Sequence, residues 1–393
     1  MNIKNIYDLS IIGSVGIPAN YGGFETLVEQ LIIQNNNNLK ICVFCSSKKI
    51  LNKKDEKIDK LCKRIFINLS ANGISGIIYD IISIIYSLFI AKNLLILGTG
   101  SSIILPLIEL FKTKKIFIYN LDGLEYKRKK WGFFGKNYLR FTEYLTLKYS
   151  DKVVIDNIYL KNYINNKYKN KYSNKLFYIS YGGDHVLKIK DNIHCDPILR
   201  DIDTFKEINI FKEKYYLSIA RAEPENNFDL ILNAFLEEES KLIIISNWDK
   251  SKEYTKYLLA LKNNSKNIFL VKAIYDLNKI FQIRKQCICY IHGHSVGGTN
   301  PSLVEALAIN QTIFSYDVGF NRSTLKNFGE YWKKTDDLKN LIKNYERGKT
   351  NSSSVLNKYN NFKGNLPNKK LIKQFYNWEK IYNEYCSLIK DNF

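Results

Sequence analysis

The sequence predicts an α/β protein of two domains, each built on a parallel sheet with crossover helices. Three observations predict it. Short β-branched and aromatic runs alternate with longer segments of helical period along most of the chain. The 393 residues suffice for two domains of ordinary size. The alternation lapses from His185 to Asn209, where charge clusters and a proline leave no strong period. The chain thus divides into domains at residues 1–190 and 205–368, followed by a helical tail at 369–393.

The elements follow in order. Ile6–Ile12 reads as the first strand, broken by a loop containing Gly13, Gly16, Gly22 and Gly23 before an apolar helix from about Phe24 to Ile33. Ile41–Cys45, Arg64–Leu69, Leu94–Leu97, Lys115–Tyr119 and Lys152–Ile155 read as further strands. Ile77–Ala91, Ile103–Phe111 and Gly135–Tyr149 read as helices. Phe177–Ser180 closes this half, ahead of Tyr181-Gly-Gly-Asp184. The second half opens with a strand at Tyr215–Ala220, a helix at Phe228–Phe235 and a strand at Lys241–Ser246. Ile268–Val271, Ile288–Ile291 and Thr312–Tyr316 continue it. The tail from Lys369 to Lys390 has apolar residues at helical spacing and is expected to pack back on the first domain. Two such domains predict a cleft facing the carboxyl ends of both sheets, where ligands of parallel sheets bind.

Composition narrows the function classes. A hydrophobic content of 45% with 14% aromatics excludes a disordered chain. Seven scattered cysteines do not form a disulfide framework; Cys42, Cys45, Cys287 and Cys289 sit in strand patterns and read as buried thiols in a reducing cytoplasm. Met1–Leu9 lacks the apolar core of a signal peptide. The most lipid-like stretch, Ile74–Ile90, is interrupted by Asp80 and falls short of the ~20 apolar residues of a membrane span, so it reads as a core helix. The net charge of +21 is uneven, with 30 Lys and Arg against 16 Asp and Glu in residues 1–200. Between Lys112 and Lys152 there are 11 basic and 4 acidic residues, with Trp131, Phe133 and Phe134 interleaved. The Lys127–Trp131 cluster fits docking on an anionic membrane surface. Nucleic acid is the competing anion, but no helix-turn-helix, RNA-recognition or zinc-finger pattern is present, so no nucleic-acid partner is expected.

One segment concentrates the chemistry: Cys289-Tyr-Ile-His-Gly-His-Ser-Val-Gly-Gly-Thr-Asn-Pro-Ser-Leu-Val-Glu-Ala306. It reads as a buried strand, a Gly-rich loop and a helix starting near Pro301. That pattern offers free N–H groups and a positive dipole end to an anion. Pro301 suits the first helical turn, and Glu305 lies one turn in, placed to accept a hydrogen bond from a hydroxyl. A phosphate beside a polyhydroxy group describes a nucleotide sugar. His292 and His294 alternate, so only one faces the loop; His294 is the candidate for donor contact, His292 for structure. Without a carboxylate or cysteine set nearby they make a poor metal site, and no metal is expected. The first Gly-rich loop, Gly13 to Glu25, does not have the spacing of a dinucleotide fingerprint.

The string Ile17-Pro-Ala-Asn-Tyr-Gly-Gly-Phe-Glu-Thr26 resembles the N-terminal motif of bacterial rhamnosyltransferase-like enzymes in glycosyltransferase family 4. Further segments agree in order: Asn120-Leu-Asp-Gly-Leu-Glu-Tyr-Lys-Arg128 with Trp131, then Asp156-Asn157, then Ala220-Arg-Ala-Glu-Pro-Glu-Asn-Asn227. Gly297-Gly-Thr-Asn-Pro-Ser302 with Glu305 is similar to the family's donor loop, and Tyr316-Asp-x-x-x-Asn321-Arg322 closes the set.

The resemblance implies a GT-B fold of two Rossmann-like domains facing a central cleft, with donor mainly in the second and acceptor mainly in the first. It implies retention of configuration, no metal, and no cofactor beyond the nucleotide-sugar substrate. Arg221 would neutralise the leaving diphosphate, and Glu305 would hold the ribose hydroxyls. Gly297, Gly298, Thr299 and Asn300 would offer amides to the sugar and diphosphate, with His294 beside them. Gly16, Gly22 and Gly23 would approach the donor from the opposite wall. Tyr21, Glu25 and Asp122 are acceptor-side candidates. Asp122 and Glu125 could orient the attacking hydroxyl, although Glu125 equally fits charge balance against Lys127–Lys130 and Glu25 equally fits a helix start. Two departures stand out. The glutamate common eight residues before Glu305 is Gly297 here, and the common Arg-x4-Lys pair is Arg221 with Asn226. Lys272 is a candidate for the missing cation. The expected acceptor is a lipid-linked glycan, the expected donor dTDP-rhamnose or a UDP-hexose, and the expected place the inner face of the plasma membrane. A nucleotide-sugar epimerase of the same build is the alternative.

Overall fold

The apolar run at Tyr7–Ile12 (β1) is an interior strand of a seven-stranded, all-parallel sheet. Its partners are β2 (Ile41–Ser46), β3 (Lys63–Ile67), β4 (Ala91–Leu97), β5 (Ile116–Leu121), β6 (Lys152–Ile155) and β7 (Leu176–Tyr178), in the order β3-β2-β1-β4-β5-β6-β7. Ile11 stands opposite Val43 on one side and Leu95 on the other. Strands covered on both faces read as continuous apolar runs, and this is why they were legible. The computed structural model describes residues 6–19, 22–50, 54–121, 123–189, 195–262, 265–309, 312–326, 328–347 and 367–390.

Helices cover both faces of this sheet. α1 (Gly23–Ile33) and α2 (Glu56–Leu61) pack on the face presented by Leu9, Ile11, Val43 and Leu95. α3 (Gly73–Ile90) and α4 (Leu105–Leu110) pack on the opposite face with Ile12, Phe44, Leu94 and Ile96, where Tyr149 at the end of α5 (Phe133–Tyr149) joins them. α6 (Ile158–Lys167) packs at the β6–β7 edge. The Ile74–Ile90 segment was expected as a core helix, and the structure corrects this. α3 turns Tyr79, Ser83 and Ser87 to the sheet but has only 28% of its length buried. It is apolar on both sides, so composition could not reveal that one side faces outward.

The chain divides into two compact units, Met1–Tyr181 with Trp378–Phe393, and Gly182–Asn377. The division falls at Tyr181, ahead of the aperiodic stretch, because the turn Asp184–Lys188 sends Val186 into the second core. Residues 198–209, which read as linker, form a small antiparallel pair of β8 (Ile198–Arg200) and β9 (Glu207–Asn209).

The second sheet is also all-parallel, in the order β12-β11-β10-β13-β14-β15. It comprises β10 (Tyr215–Ile219), β11 (Lys241–Ser246), β12 (Ile268–Lys272), β13 (Cys289–His292), β14 (Ile313–Tyr316) and β15 (Glu330–Trp332). Its helices are α7 (Phe228–Phe235), α8 (Glu253–Lys262), α9 (Leu277–Gln286), α10 (Pro301–Ile309), α11 (Gly319–Leu325) and α12 (Thr335–Glu346).

The tail forms two helices rather than one. α13 (Pro367–Phe375) places Leu371 and Ile372 in the second core. α14 (Trp378–Lys390) places Trp378, Ile381 and Tyr385 in the first. There Tyr385 Oη accepts from Asn120 Nδ2 at 2.7 Å, and Lys152 Nζ donates to the Leu388 carbonyl at 2.7 Å.

Candidate functional site

In the second sheet the strand order reverses between β10 and β13, and ligands of such sheets bind outside the carboxyl ends of the strands at that point. The loops that leave these two strands are stitched together. Asn226 Nδ2 donates to the Arg221 carbonyl at 2.8 Å, which leaves its Oδ1 facing His294 Nδ1, also at 2.8 Å. This arrangement puts a proton on Nδ1. Asn227, in left-handed backbone at φ 49°, donates to the Gly293 carbonyl at 2.7 Å. Ser295 donates through both its amide and its hydroxyl to the Glu225 carbonyl, each at 2.8 Å. Asn226 thus acts as a clasp between the loops.

The clasp also accounts for Gly297. Its backbone is at φ +149°, and a Cβ there would lie 2.7 Å from His294 Nε2. Any side chain at 297 meets a ring that Asn226 holds in place.

The start of α10 differs from the expectation of free N–H groups. Pro301 has none, Ser302 N–H donates to Asn300 Oδ1 at 2.9 Å, and Leu303 and Val304 donate to the Asn300 carbonyl. Asn300 is therefore the N-cap. The amides of Gly297 and Gly298, by contrast, make no hydrogen bond with the described residues. The N–H groups left open by the described residues are those of the loop rather than of the helix end. Thr299 is buried.

Glu305 is held by residues that the sequence reading missed. Arg284 Nη2, from the last turn of α9, donates to Glu305 Oε2 at 3.0 Å and to Ser302 Oγ at 2.8 Å, while Nη1 donates to the Ser302 carbonyl at 3.2 Å. Ser302 Oγ lies 2.7 Å from Tyr290 Oη and donates to the Ile219 carbonyl at the end of β10. His185 Nε2 lies 3.6 Å from Glu305 Oε1, within range of charge attraction when the imidazole is protonated. Burial raises the Glu305 carboxyl, but His185 and the Arg284 guanidinium outweigh it and hold the group below the ordinary carboxylate range. The side chain is 21% exposed, so this ionised carboxylate is fixed yet reachable. His292 is buried on β13, and burial followed by Arg284 lowers its imidazole to about 3. It is neutral at physiological pH.

Arg221 is exposed just after β10, and Lys272 is exposed at the end of β12, two strands away. Among the described residues no group of three or more His, Cys, Asp or Glu side chains gathers as a metal-ligand set.

In the first unit the start of the loop after β1 is closely packed. A Cβ at Gly13 (φ +97°) would lie 2.2 Å from the Leu97 carbonyl oxygen, so β1 and β4 approach there too closely for any side chain. Gly16 (φ +123°) would collide with Cys45 and Ile50, which gives this glycine a packing reason of its own. Glu25 is buried in the first turn of α1, and its Oε1 accepts from the Val15 N–H at 2.7 Å. Gly22 and Gly23 form the N-cap and first residue of α1. Tyr21 and Asp122 lie outside the described residues. Glu125 is engaged locally: Oε2 pairs with Arg128 Nε at 2.8 Å, while Oε1 pairs with Lys130 at 2.8 Å and accepts from Trp131 Nε1 at 3.1 Å. Burial raises its carboxyl, and Arg128 and Lys130 bring it below the ordinary range. These contacts pair Glu125 with two basic residues of the Lys127–Lys130 run.

Residues 5–184 match the family model of a domain of unknown function (DUF1972), and residues 201–366 match that of glycosyl transferases group 1. No curated protein sequence matches. Solved structures do. Sucrose-phosphate synthase from Thermosynechococcus elongatus is 11% identical over 97% of this chain and 98% of its own, with a TM-score of 0.73. The Anabaena protein HepE in complex with UDP-glucose is 12% identical over 96% of this chain and 98% of its own, at 0.68. A Listeria monocytogenes protein provisionally assigned as a UDP-N-acetylglucosamine 2-epimerase is 11% identical over 99% and 97%, at 0.56. At these identities the likeness speaks for the fold. The chain thus has the GT-B fold of these structures, and its residues 201–366 match the glycosyl transferases group 1 model.

Proposed function

We propose that the protein is a retaining, metal-independent hexosyltransferase that moves a sugar, rhamnose from dTDP-rhamnose, onto a lipid-linked precursor of a surface polysaccharide. The reaction would take place at the inner face of the plasma membrane. The observation that carries the reading is Glu305, an ionised carboxylate fixed by Arg284 on the helix that follows the loop whose Gly297 and Gly298 amides make no hydrogen bond with the described residues. A carboxylate that accepts two ribose hydroxyls, next to amides that receive a diphosphate, is what a nucleotide-sugar donor requires. Arg221 would add the positive charge that stabilises the departing diphosphate as the sugar becomes oxocarbenium-like.

Thermal stabilisation by free nucleotides tests the donor, because a ligand of the native state raises the melting temperature. A selective shift with dTDP and dTDP-rhamnose supports the reading. A UDP-hexose donor is the second reading, favoured by the HepE complex with UDP-glucose that shares the fold. It predicts the shift with UDP compounds instead. The epimerase alternative predicts conversion of the donor with no acceptor present. Arg221→Ala and Glu305→Ala should each abolish transfer, and near wild-type activity in both would overturn the site.

A further inference from the structure

We propose that the outward face of the α3–α4–α5 layer is a docking surface for an anionic phospholipid bilayer. On α3 the exposed side chains Ile74, Ile78, Ile82, Ile85 and Phe89 fall within an arc of about 80° at 100° per residue. The one charged residue of this helix, Asp80, lies off that arc. The layer continues the pattern. α3 touches the 3-10 turn Gly100–Ile104 that leads into α4, and α4 touches α5. Leu110 and Phe111 end α4 with exposures of 76% and 82%, and Phe133 and Phe134 open α5 with 75% and 87%. Soluble monomers rarely expose so many large apolar side chains on neighbouring elements, and such faces mark interaction sites.

Two further observations decide the occupant. Lys112 and Lys114 follow Phe111, and Lys129 precedes Phe133 by four residues, all three exposed. The segment from Lys112 to Lys152 carries 11 basic residues against 4 acidic. Basic side chains beside an apolar face suit anionic headgroups above acyl chains. The same charges disfavour a second copy of this chain, which would bring the lysines of both copies together. α3 does not span the membrane. It connects β3 to β4 of one parallel sheet and keeps Tyr79 and Ile84 in the core, so it lies in the interfacial plane.

This inference deepens the lipid-linked acceptor reading. It is tested without donor or acceptor, so a failed donor assignment and a failed docking assignment give different results. The full chain is floated with vesicles of phosphatidylglycerol and phosphatidylcholine, and with phosphatidylcholine alone. The expected result is salt-sensitive binding to the anionic vesicles, weakened at least tenfold by Phe133→Ser with Phe134→Ser and by Ile78→Asn. Tyr257→Ser with Leu277→Ser, at exposed positions of the second unit, should leave binding unchanged. Brominated lipid should quench Trp131, two residues from Phe133, more in wild type than in the Phe133 and Phe134 variant. Three outcomes overturn the proposal. One is no flotation. Another is binding indifferent to these apolar substitutions. The third is a dimer that the same substitutions dissociate without any vesicle binding.

Discussion

Arg284 Nη2 donates at once to Glu305 Oε2 at 3.0 Å and to Ser302 Oγ at 2.8 Å, so one buried guanidinium joins the end of α9 to the first turns of α10. Replacing it with Met should leave a partly buried carboxylate without its guanidinium partner. The expected cost is about 1–3 kcal/mol of stability, read as a lower melting temperature, with nucleotide affinity falling at least tenfold by calorimetry. The pH dependence has a definite sign. Glu305 is held below its unfolded value, which is roughly 4.3. Its contribution is therefore complete above that pH and is lost as pH falls through the lower folded value. The Arg284→Met variant should show a weaker acid limb there, and an unchanged acid limb would count against the assignment.

The Asn226–His294 clasp makes a second prediction. Asn226→Ala removes two hydrogen bonds at once and should cost about 1–3 kcal/mol, with kcat/KM reduced at least tenfold because both loops lose their register. Introducing the glutamate that the resemblance leads one to expect here, Gly297→Glu, should not help. It meets both the φ of +149° and the His294 ring. A variant with wild-type melting temperature and activity would show that the clasp yields.

Glu125 and Lys272 should matter much less to chemistry than Arg221. The Glu125 carboxylate is taken up by Arg128, Lys130 and Trp131. Glu125→Gln should therefore lower the melting temperature while kcat stays within threefold. Lys272 ends β12, two strands from β10, or about 10 Å at ordinary strand spacing. Lys272→Ala should likewise change kcat less than threefold, against a loss of at least a hundredfold for Arg221→Ala. Steady-state kinetics of the three variants decide the matter.

A structural pair elsewhere should dominate stability. Asp201 and Lys262 meet at 2.7 Å with both side chains fully buried, and Asp201 also accepts from the Thr204 and Leu270 amides, each at 2.7 Å. Burial raises this carboxyl, but the lysine and the two amides bring it below the ordinary range. Its stabilisation is thus present above the unfolded value near 4 and disappears as pH falls through the folded one. Lys262→Met strands a buried charge and should cost about 3–5 kcal/mol in denaturant titrations.

The residues that sequence reading could place are those whose meaning is local. β13, its loop and α10 are contiguous, so the loop glycines, Asn300 and Glu305 were found together. Gly13 was found as a break after a strand. What escaped depends on distant partners. Arg284 is one of several basic residues at a helix end, and His185 lies in a stretch without period. Neither announces that it meets Glu305. Asp201 fell within the apparent linker, since a buried ion pair has no signature in one strand of text. The outward side of α3 was hidden for the opposite reason: its pattern is so uniformly apolar that burial could not be read from it. Amides without a partner among the described residues were expected at the helix end and are found in the loop, because Asn300 satisfies the helix itself.

The separation of α13 from α14 has a consequence for biosynthesis. Trp378, Ile381 and Tyr385 complete the core around β1, β2 and α1, yet the ribosome makes them only after the whole second unit. The usual order, in which an N-terminal domain finishes folding before the next one emerges, is not open to this chain. Its first domain must wait, with part of its interior uncovered, for a helix that arrives late. Nascent chains stalled before Trp378 should accordingly be protease-sensitive in the first domain even when the second has already folded.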